Sequence, residues 1–257
     1  MDENALNVII SSINHSEMPC IIVEGDGDVK IFRWILEELG FGDYFYPSNI
    51  NDMIKSQGGC GILRKLYLNK SKITNPNVIF ISDKDVFAYS QIPKEYDGIV
   101  FTKGYSIEND LYDGCSLEQK LFEKEDKDLF NCVLDQFIRY YACEFEKLNA
   151  GKQYNFRKKP EAIIDKKYML NTSLLDDFTE PSSNSVDYFK NQYDLLLRGH
   201  SLFKLVSMVL HRKNRDPKYS ESAIYELCYK FCKSQSIIEL QEKIKQKYNS
   251  VINQKHN

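Results

Sequence analysis

Branched apolar runs alternate with amphipathic stretches along the first 115 residues. The runs "CIIVE" and "NVIFISDKD" have the continuous apolar character of strands buried on both faces of a parallel sheet. The stretch 28–40 instead places its apolar residues at helical spacing and stops at a glycine. The pattern predicts four short strands, which begin within the segments 20–24, 43–48, 77–85 and 97–110. Strands separated by helices predict a βαβ succession and a mainly parallel sheet.

The pattern changes after about residue 115. The stretch 129–148 is amphipathic at helical spacing, and the end of the chain predicts two further helices. The sequence therefore predicts two domains, an α/β core over 1–115 and a helical domain over 116–257. A second sheet beyond residue 120 would contradict this division.

Overall charge gives no sign of a nucleic-acid partner, because the net charge is −3 with 28% charged residues. A site for phosphate would need a local basic patch or a metal ion. Two basic segments fit the first possibility, although each is equally typical of a solvated loop. They contain Arg157, Lys158, Lys159, Lys166 and Lys167, and Arg212, Lys213, Arg215 and Lys218.

The seven cysteines are odd in number and form no CxxC motif. We therefore expect reduced thiols and a cytoplasmic protein. No apolar run approaches the ~20 residues that a membrane span requires, so no membrane association is expected.

Acidic residues follow three of the predicted strands. Glu24 ends the first strand, Asp83 and Asp85 end another, and Glu108 lies in "SIEND" after the last. Ligands of open parallel sheets bind at the carboxyl ends of strands. In an extended backbone, Asp83 and Asp85 would point to the same side, roughly 6–7 Å apart.

Converging carboxylates repel one another, and a hard divalent cation such as Mg²⁺ or Mn²⁺ relieves that repulsion. The pattern therefore predicts a metal site, where the glycines after Glu24 would let backbone amides approach a phosphate. The alternative is that each acid caps the helix that follows it.

The segments "IIVEG" and "ISDKD" together resemble the Toprim domain, the metal-binding fold of topoisomerases, primases and overcoming-lysogenization-defect nucleases. "GYSIEND" and "RGHSLFKLV" resemble, more narrowly, the Toprim-like nuclease family that includes the effector of PARIS anti-phage systems. The resemblance covers residues 20–115 and about 195–210.

This resemblance implies a Toprim-like, mainly parallel four-stranded sheet flanked by helices, with metal-dependent cleavage of phosphodiesters. It makes Glu24 a metal ligand or general base, Asp83 and Asp85 metal ligands, and Glu108 the acid of a second metal position. His200 stands where related nucleases often carry lysine. It would steady a phosphate only when protonated, and the alternative is an ordinary residue at a helix start.

The resemblance also implies partners. The substrate would be nucleic acid, either tRNA, another RNA or DNA, and a homodimer is expected. The chain has no GxxxxGK[ST] motif, so we do not expect it to hydrolyse ATP itself. The family instead suggests a separate ABC-type ATPase that controls a toxic effector.

Two other hypotheses compete with this one. "VIFISDKDVF" also resembles the nucleophile strand of haloacid-dehalogenase phosphohydrolases, in which Asp83 would attack phosphate and Asp85 would act as acid and base. That class leaves Glu24 without a role, and "LLDDF" is a poor match for its second acidic pair. The other hypothesis is a non-enzymatic α/β interaction module with an incidental acidic edge.

Overall fold

The computed structural model describes residues 3–15, 20–41, 46–49, 59–211 and 219–253. The chain forms two compact units, residues 1–102 with 237–257 and residues 103–236. The division therefore falls at 102 and not at the predicted 115. The last helix joins the first unit, although the sequence pattern assigned it to a helical domain.

The helices are α1 (Glu3–His15), α2 (Asp26–Glu38), α3 (Gly59–Leu68), α4 (Ile107–Tyr112), α5 (Leu117–Leu121), α6 (Lys124–Asn149), α7 (Pro160–Ile163), α8 (Ser183–Lys190), α9 (Tyr193–Leu196), α10 (Gly199–Leu210), α11 (Glu221–Leu227) and α12 (Gln235–Asn253). Short 3₁₀ segments occur at Lys70–Lys72, Asp85–Tyr89, Lys94–Tyr96 and Thr172–Leu174, and a π-helical segment at Cys228–Cys232. Across the described parts of the chain, no helix is long and apolar enough to cross a membrane.

The first unit is an α/β structure with a parallel sheet, as the sequence pattern predicts. Its strands are β1 (Cys20–Val23), β2 (Tyr46–Asn49), β3 (Val78–Ser82) and β4 (Val100–Phe101), in the order β2-β1-β3-β4. Most of the sheet is the three-stranded part β2-β1-β3, because β4 pairs with β3 through two residues only. The Toprim-like character of this sheet stays a prediction.

Both faces of the central strands are buried. Ile22 and Phe80 pair in register and belong to an apolar cluster with residues of α1 and α3. Ile21 and Ile79 are the preceding pair, and they project to the opposite face because side chains alternate along a strand. Because both faces are buried, consecutive positions in β1 and β3 must be apolar, and this explains their continuous apolar runs.

The connections leave β1 and β3 in opposite directions. From β1 the chain passes through α2 to β2 on one side, and from β3 it continues to β4 on the other. Such a reversal of strand order opens a crevice at the carboxyl ends of the two adjacent strands, which is where open α/β sheets bind ligands. Glu24 directly follows β1, and Asp83 directly follows β3.

The second unit is built around α6, which contacts α8 and α10. Its centre is aromatic, with fully buried side chains that include Phe130, Phe137, Tyr140, Tyr141, Phe189 and Phe203. Among the described residues beyond 115, β pairing is limited to one isolated bridge between Ile164 and Leu170. The predicted helical character of this part of the chain is confirmed.

A disulfide joins Cys115 and Cys232 within the second unit. The expectation of seven reduced thiols is therefore wrong for this pair. The two residues lie 117 positions apart, so sequence spacing could not reveal the pairing. Cys132, Cys143 and Cys228 are free thiols.

Without reductant, we expect two fewer reactive thiols in the denatured protein than after reduction. Cys232→Ser should also lower the free energy of unfolding by roughly 2 kcal/mol, because the cross-link restricts the unfolded chain. Cys132→Ser, which removes an exposed free thiol, is the control and should leave stability unchanged. Thiol titration and urea denaturation measure both effects, and equal thiol counts before and after reduction would disprove the disulfide.

Candidate functional site

Glu24 is a buried carboxyl group at the carboxyl end of β1. Its side chain is tied to the neighbouring strand, because the Ser82 hydroxyl at the end of β3 donates a hydrogen bond to Oε1. Only 8% of Glu24 is exposed. Burying an ionised carboxylate in such a position costs free energy unless the charge is paired with a cation or hydrogen-bonded.

Helix capping does not explain Glu24, because Asp28 performs that role. Asp28 lies in the first turn of α2. Its carboxylate accepts a hydrogen bond at 2.8 Å from the amide of Gly25, the residue just before the helix. The Gly25 amide therefore already has an acceptor, which differs from the expectation that it would be available to a phosphate.

The chain turns immediately after β3. The strand ends at Ser82, Lys84 has helical backbone angles, and Asp85 has a left-handed conformation with φ of 49°. The predicted extended geometry of Asp83 and Asp85 is therefore wrong. Aspartate tolerates the left-handed region better than most residues because its short side chain can bond locally.

Arg64 of α3 holds this turn. Its guanidinium donates to the main-chain oxygen of Asp83 at 2.9 Å and lies 3.7 Å from the Asp85 carboxylate. It also stacks over the ring of Phe87, 4.4 Å from the ring centre. Only 12% of the Arg64 side chain is exposed, so this cation is fixed beside the acidic crevice.

The electrostatics of the crevice centre on Glu24. Burial, followed by the nearby negative charge of Asp85, raises the pKa of Glu24 to about 8. The Ser82 hydrogen bond and the Arg64 charge act in the opposite direction but do not cancel the effect. The negative charge of Asp85 therefore acts on the Glu24 carboxyl group and disfavours its ionised form.

This arrangement suits a hard divalent cation. Glu24 and Asp85 offer oxygen ligands at a topological switch point, and Mg²⁺ commonly uses one or two carboxylates and completes its shell with water and phosphate. Within the described residues, no three Asp, Glu, His or Cys side chains form a ready-made metal cluster. The convergence of Glu24, Asp83, Asp85 and Glu108 as four ligands stays a prediction.

We expect the metal-free protein to lose stability as pH rises from about 5 to about 8. The folded state raises the pKa of Glu24 from 4.5 to about 8, so in this window it holds a proton that the unfolded chain releases. More protons bound in the folded state means that the free energy of unfolding falls with rising pH. Glu24→Gln removes this contribution. The free energy of unfolding of the variant should therefore exceed that of the wild type by an amount that grows towards pH 8.

Urea denaturation in EDTA at several pH values measures this gap. The difference between the two proteins isolates Glu24 from other titrating groups. Parallel stability curves for wild type and Glu24→Gln would show that Glu24 titrates normally.

Glu108 and Asp110 belong to the second unit, and their roles differ. Asp110 is fully buried, and its carboxylate accepts hydrogen bonds from the amides of Lys103 and Gly104. It therefore has a structural role in the turn before α4. Glu108 is half-buried in the first turn of α4, where it accepts a hydrogen bond from Ser106 at 2.5 Å.

The segments "GYSIEND" and "RGHS" meet within the second unit. The buried Asn109 side chain donates to the main-chain oxygen of Leu197 at 2.8 Å. A Cβ atom at Gly199 would lie 2.6 Å from the Cβ of Glu108. The two motifs thus contact each other so closely that residue 199 must lack a side chain.

His200 is the second residue of α10, and its imidazole lies 3.2 Å from the Glu221 carboxylate. Lys204 contacts the same carboxylate at 2.7 Å. Despite burial, hydrogen bonds from His200, Lys204 and Tyr225 lower the pKa of Glu221 to about 2. This pairing corresponds to the helix-start alternative for His200, and the catalytic role stays a prediction.

The first basic segment is largely exposed, and Lys158 within it is engaged. Lys158 donates to the main-chain oxygen of Leu174 at 2.6 Å and lies 3.4 Å from Asp176. Arg157, Lys159, Lys166 and Lys167 are exposed. The second segment, with Arg212, Lys213, Arg215 and Lys218, lies outside the described residues.

Sequence reasoning missed Arg64 and Asp28. Arg64 lies beside the buried Leu63 on a helix of ordinary composition, and nothing local shows that its guanidinium reaches the end of β3. A scan against protein-family models and a search of curated proteins found no match to this chain.

Proposed function

We propose that this chain is a Mg²⁺-dependent endonuclease that hydrolyses phosphodiester bonds of cellular nucleic acid. The observation that carries the proposal is the pair Glu24 and Asp85 at the switch point of a parallel sheet. A buried glutamate whose pKa is raised to about 8 beside a second acid is typical of functional sites. Capping, the main structural alternative, belongs to Asp28.

In the proposed mechanism, Glu24 and Asp85 would hold Mg²⁺ together with bound water. When bound there, the cation would activate the attacking water and stabilise the leaving oxygen. Ser82 fixes the orientation of the Glu24 carboxylate through its hydrogen bond. Arg64 keeps the turn at Asp85 in place and balances part of the negative charge of the crevice.

The resemblance to Toprim nucleases extends this proposal. It makes the sheet a Toprim-like four-stranded sheet, with Asp83 and Glu108 as further metal ligands and His200 as a supporting group near the phosphate. The observed order β2-β1-β3-β4, with all neighbours parallel, is consistent with this.

The same resemblance suggests a biological setting for this activity. The chain would be a toxic effector of anti-phage defence, cytoplasmic and homodimeric, held or licensed by a separate ABC-type ATPase. Its substrate would be tRNA, another RNA or DNA. Sedimentation of the isolated chain tests the dimer, and a concentration-independent monomer would contradict it.

A nuclease assay tests the activity directly. Purified protein is incubated with mixed RNA and DNA in Mg²⁺, in Mn²⁺ and in EDTA. We expect cleavage that requires the cation, together with a higher melting temperature when the cation is added, because a ligand that binds only the folded state stabilises it. A protein that neither cleaves nor gains stability in either cation would refute the proposal and favour the non-enzymatic module.

The phosphohydrolase hypothesis makes a different prediction. A haloacid-dehalogenase-like enzyme would cleave a phosphate monoester through Asp83, and Glu24 would be dispensable. The buried contact between Glu24 and Ser82 gives that hypothesis no support. Hydrolysis of p-nitrophenyl phosphate that survives Glu24→Gln and is lost in Asp83→Asn would favour it.

A further inference from the structure

A cleft of about 540 Å³ in the first unit adjoins the candidate centre. Residues 97–101, which include the edge strand β4, form one side of it, and α12 forms another. Its polar lining consists of Lys84, Asp97, Lys243, Gln246, Lys247 and Ser250.

The lining of this cleft is positively charged. Three lysines face one carboxylate, that of Asp97, in a chain whose net charge is −3. Four of the lining residues, at 243, 246, 247 and 250, follow helical spacing and therefore share one face of α12. A local basic surface of this kind attracts anions that the protein as a whole would repel.

Lys84 connects the cleft to the candidate centre. It lies between Asp83 and Asp85, in the turn that Arg64 holds. Its amide donates to the Thr102 hydroxyl at 3.2 Å, next to the end of β4. An anion in the cleft would therefore extend directly to the acidic crevice at the end of β3.

We propose that this cleft binds the sugar–phosphate backbone of a nucleic-acid strand and leads it to the crevice of Glu24 and Asp85. The inference rests on the proposed function, for which it names the substrate-binding surface. Lys243 and Lys247 stand about 6 Å apart along the helix axis, so they can each contact a different phosphate. A single phosphate ion would fill only a small part of 540 Å³.

Binding is measured in the Glu24→Gln protein, so that cleavage does not interfere. Fluorescent single-stranded RNA and DNA of the same sequence are titrated at several salt concentrations. Lys247→Gln is expected to weaken binding about fivefold and to reduce the slope of log Kd against log salt by about 1, because one phosphate contact and its released counterion are lost. Lys243→Gln together with Lys247→Gln should reduce the slope by about 2.

Lys245→Gln is the matched control, because it removes the same charge from the same helix at an exposed position outside the cleft. Its Kd should stay within about twofold of the parent protein. Equal losses for Lys245→Gln and Lys247→Gln would overturn the proposal, since they would indicate a general field effect. Loss with both RNA and DNA supports recognition of the phosphate backbone, whereas loss with RNA alone would overturn it, because DNA carries the same phosphates.

The two proposals fail separately. If binding depends on the lysines but the protein never cleaves, the cleft stands as a nucleic-acid site and the nuclease proposal fails. If the wild type cleaves but binding does not depend on Lys243 and Lys247, the nuclease proposal stands and the cleft proposal fails.

Discussion

Glu24→Gln should reduce nucleic-acid cleavage at least 100-fold, a loss of roughly 3 kcal/mol of transition-state stabilisation. The substitution keeps the volume of the side chain and its ability to accept from Ser82, but it removes the negative charge that would hold the cation. Cleavage is measured in Mg²⁺ and Mn²⁺ under single-turnover conditions. Expression of the variant should also lose the toxicity expected of the wild type.

The folded state should not suffer from the same change. Burial and Asp85 disfavour the charged form of Glu24, so removal of the charge should leave stability equal or higher at neutral pH. Activity that falls while stability holds distinguishes a functional residue from a structural one. Glu37→Gln, on the exposed side of α2, removes the same charge and should keep full activity.

Two further variants compare the contributions of the other candidate residues to cleavage. Asp83→Asn should resemble Glu24→Gln, and His200→Ala should cost less because its imidazole is paired with Glu221. Full cleavage by Glu24→Gln would mean that the acidic crevice is not a catalytic centre.

Gly199→Ala should destabilise the protein by about 3 kcal/mol, the cost of overpacking a closely fitted interior. The added Cβ would lie 2.6 Å from the Ser106 hydroxyl and 2.8 Å from the Asn109 amide oxygen. Neither group can move away easily. Asn109 accepts from the Ser106 amide at 3.0 Å and donates to Leu197 at 2.8 Å.

Gly61→Ala is the matched control for this substitution. Gly61 also lies in a helix, α3, but a Cβ there would meet nothing within 4 Å. Alanine should therefore stabilise that helix by up to about 1 kcal/mol. Urea denaturation compares the two variants, and a Gly199→Ala protein as stable as Gly61→Ala would contradict the close contact between the two motifs.

The sequence was sufficient for the parts of the fold that local pattern encodes. The apolar runs before Glu24 and Asp83 became β1 and β3 because burial on both faces requires such runs. The parallel arrangement followed from the helices between them. Glu24 could be chosen as a candidate because a buried strand that ends in an acid is visible without any structure.

Other features depend on contacts between distant residues. Arg64 reaches the turn after β3 only because α3 packs beside that strand. Cys115 is bonded to Cys232, which lies 117 positions away in the sequence. The turn itself was missed because the left-handed conformation of Asp85 breaks the alternation on which strand geometry relies. Asp110 has the same residue type as a metal ligand, yet it binds main-chain amides.

The return of the last helix to the first unit has a consequence for synthesis on the ribosome. That unit comprises residues 1–102 and 237–257, and Phe41 stacks on Tyr248 with ring centres 4.1 Å apart. At typical rates of elongation, roughly 7–27 s pass between the synthesis of residue 102 and that of residue 237. The nascent chain would therefore lack the lysine face of α12 until residues 243–250 have been added. Products that end before residue 243 would therefore contain β1 to β4 but lack one side of the cleft proposed above.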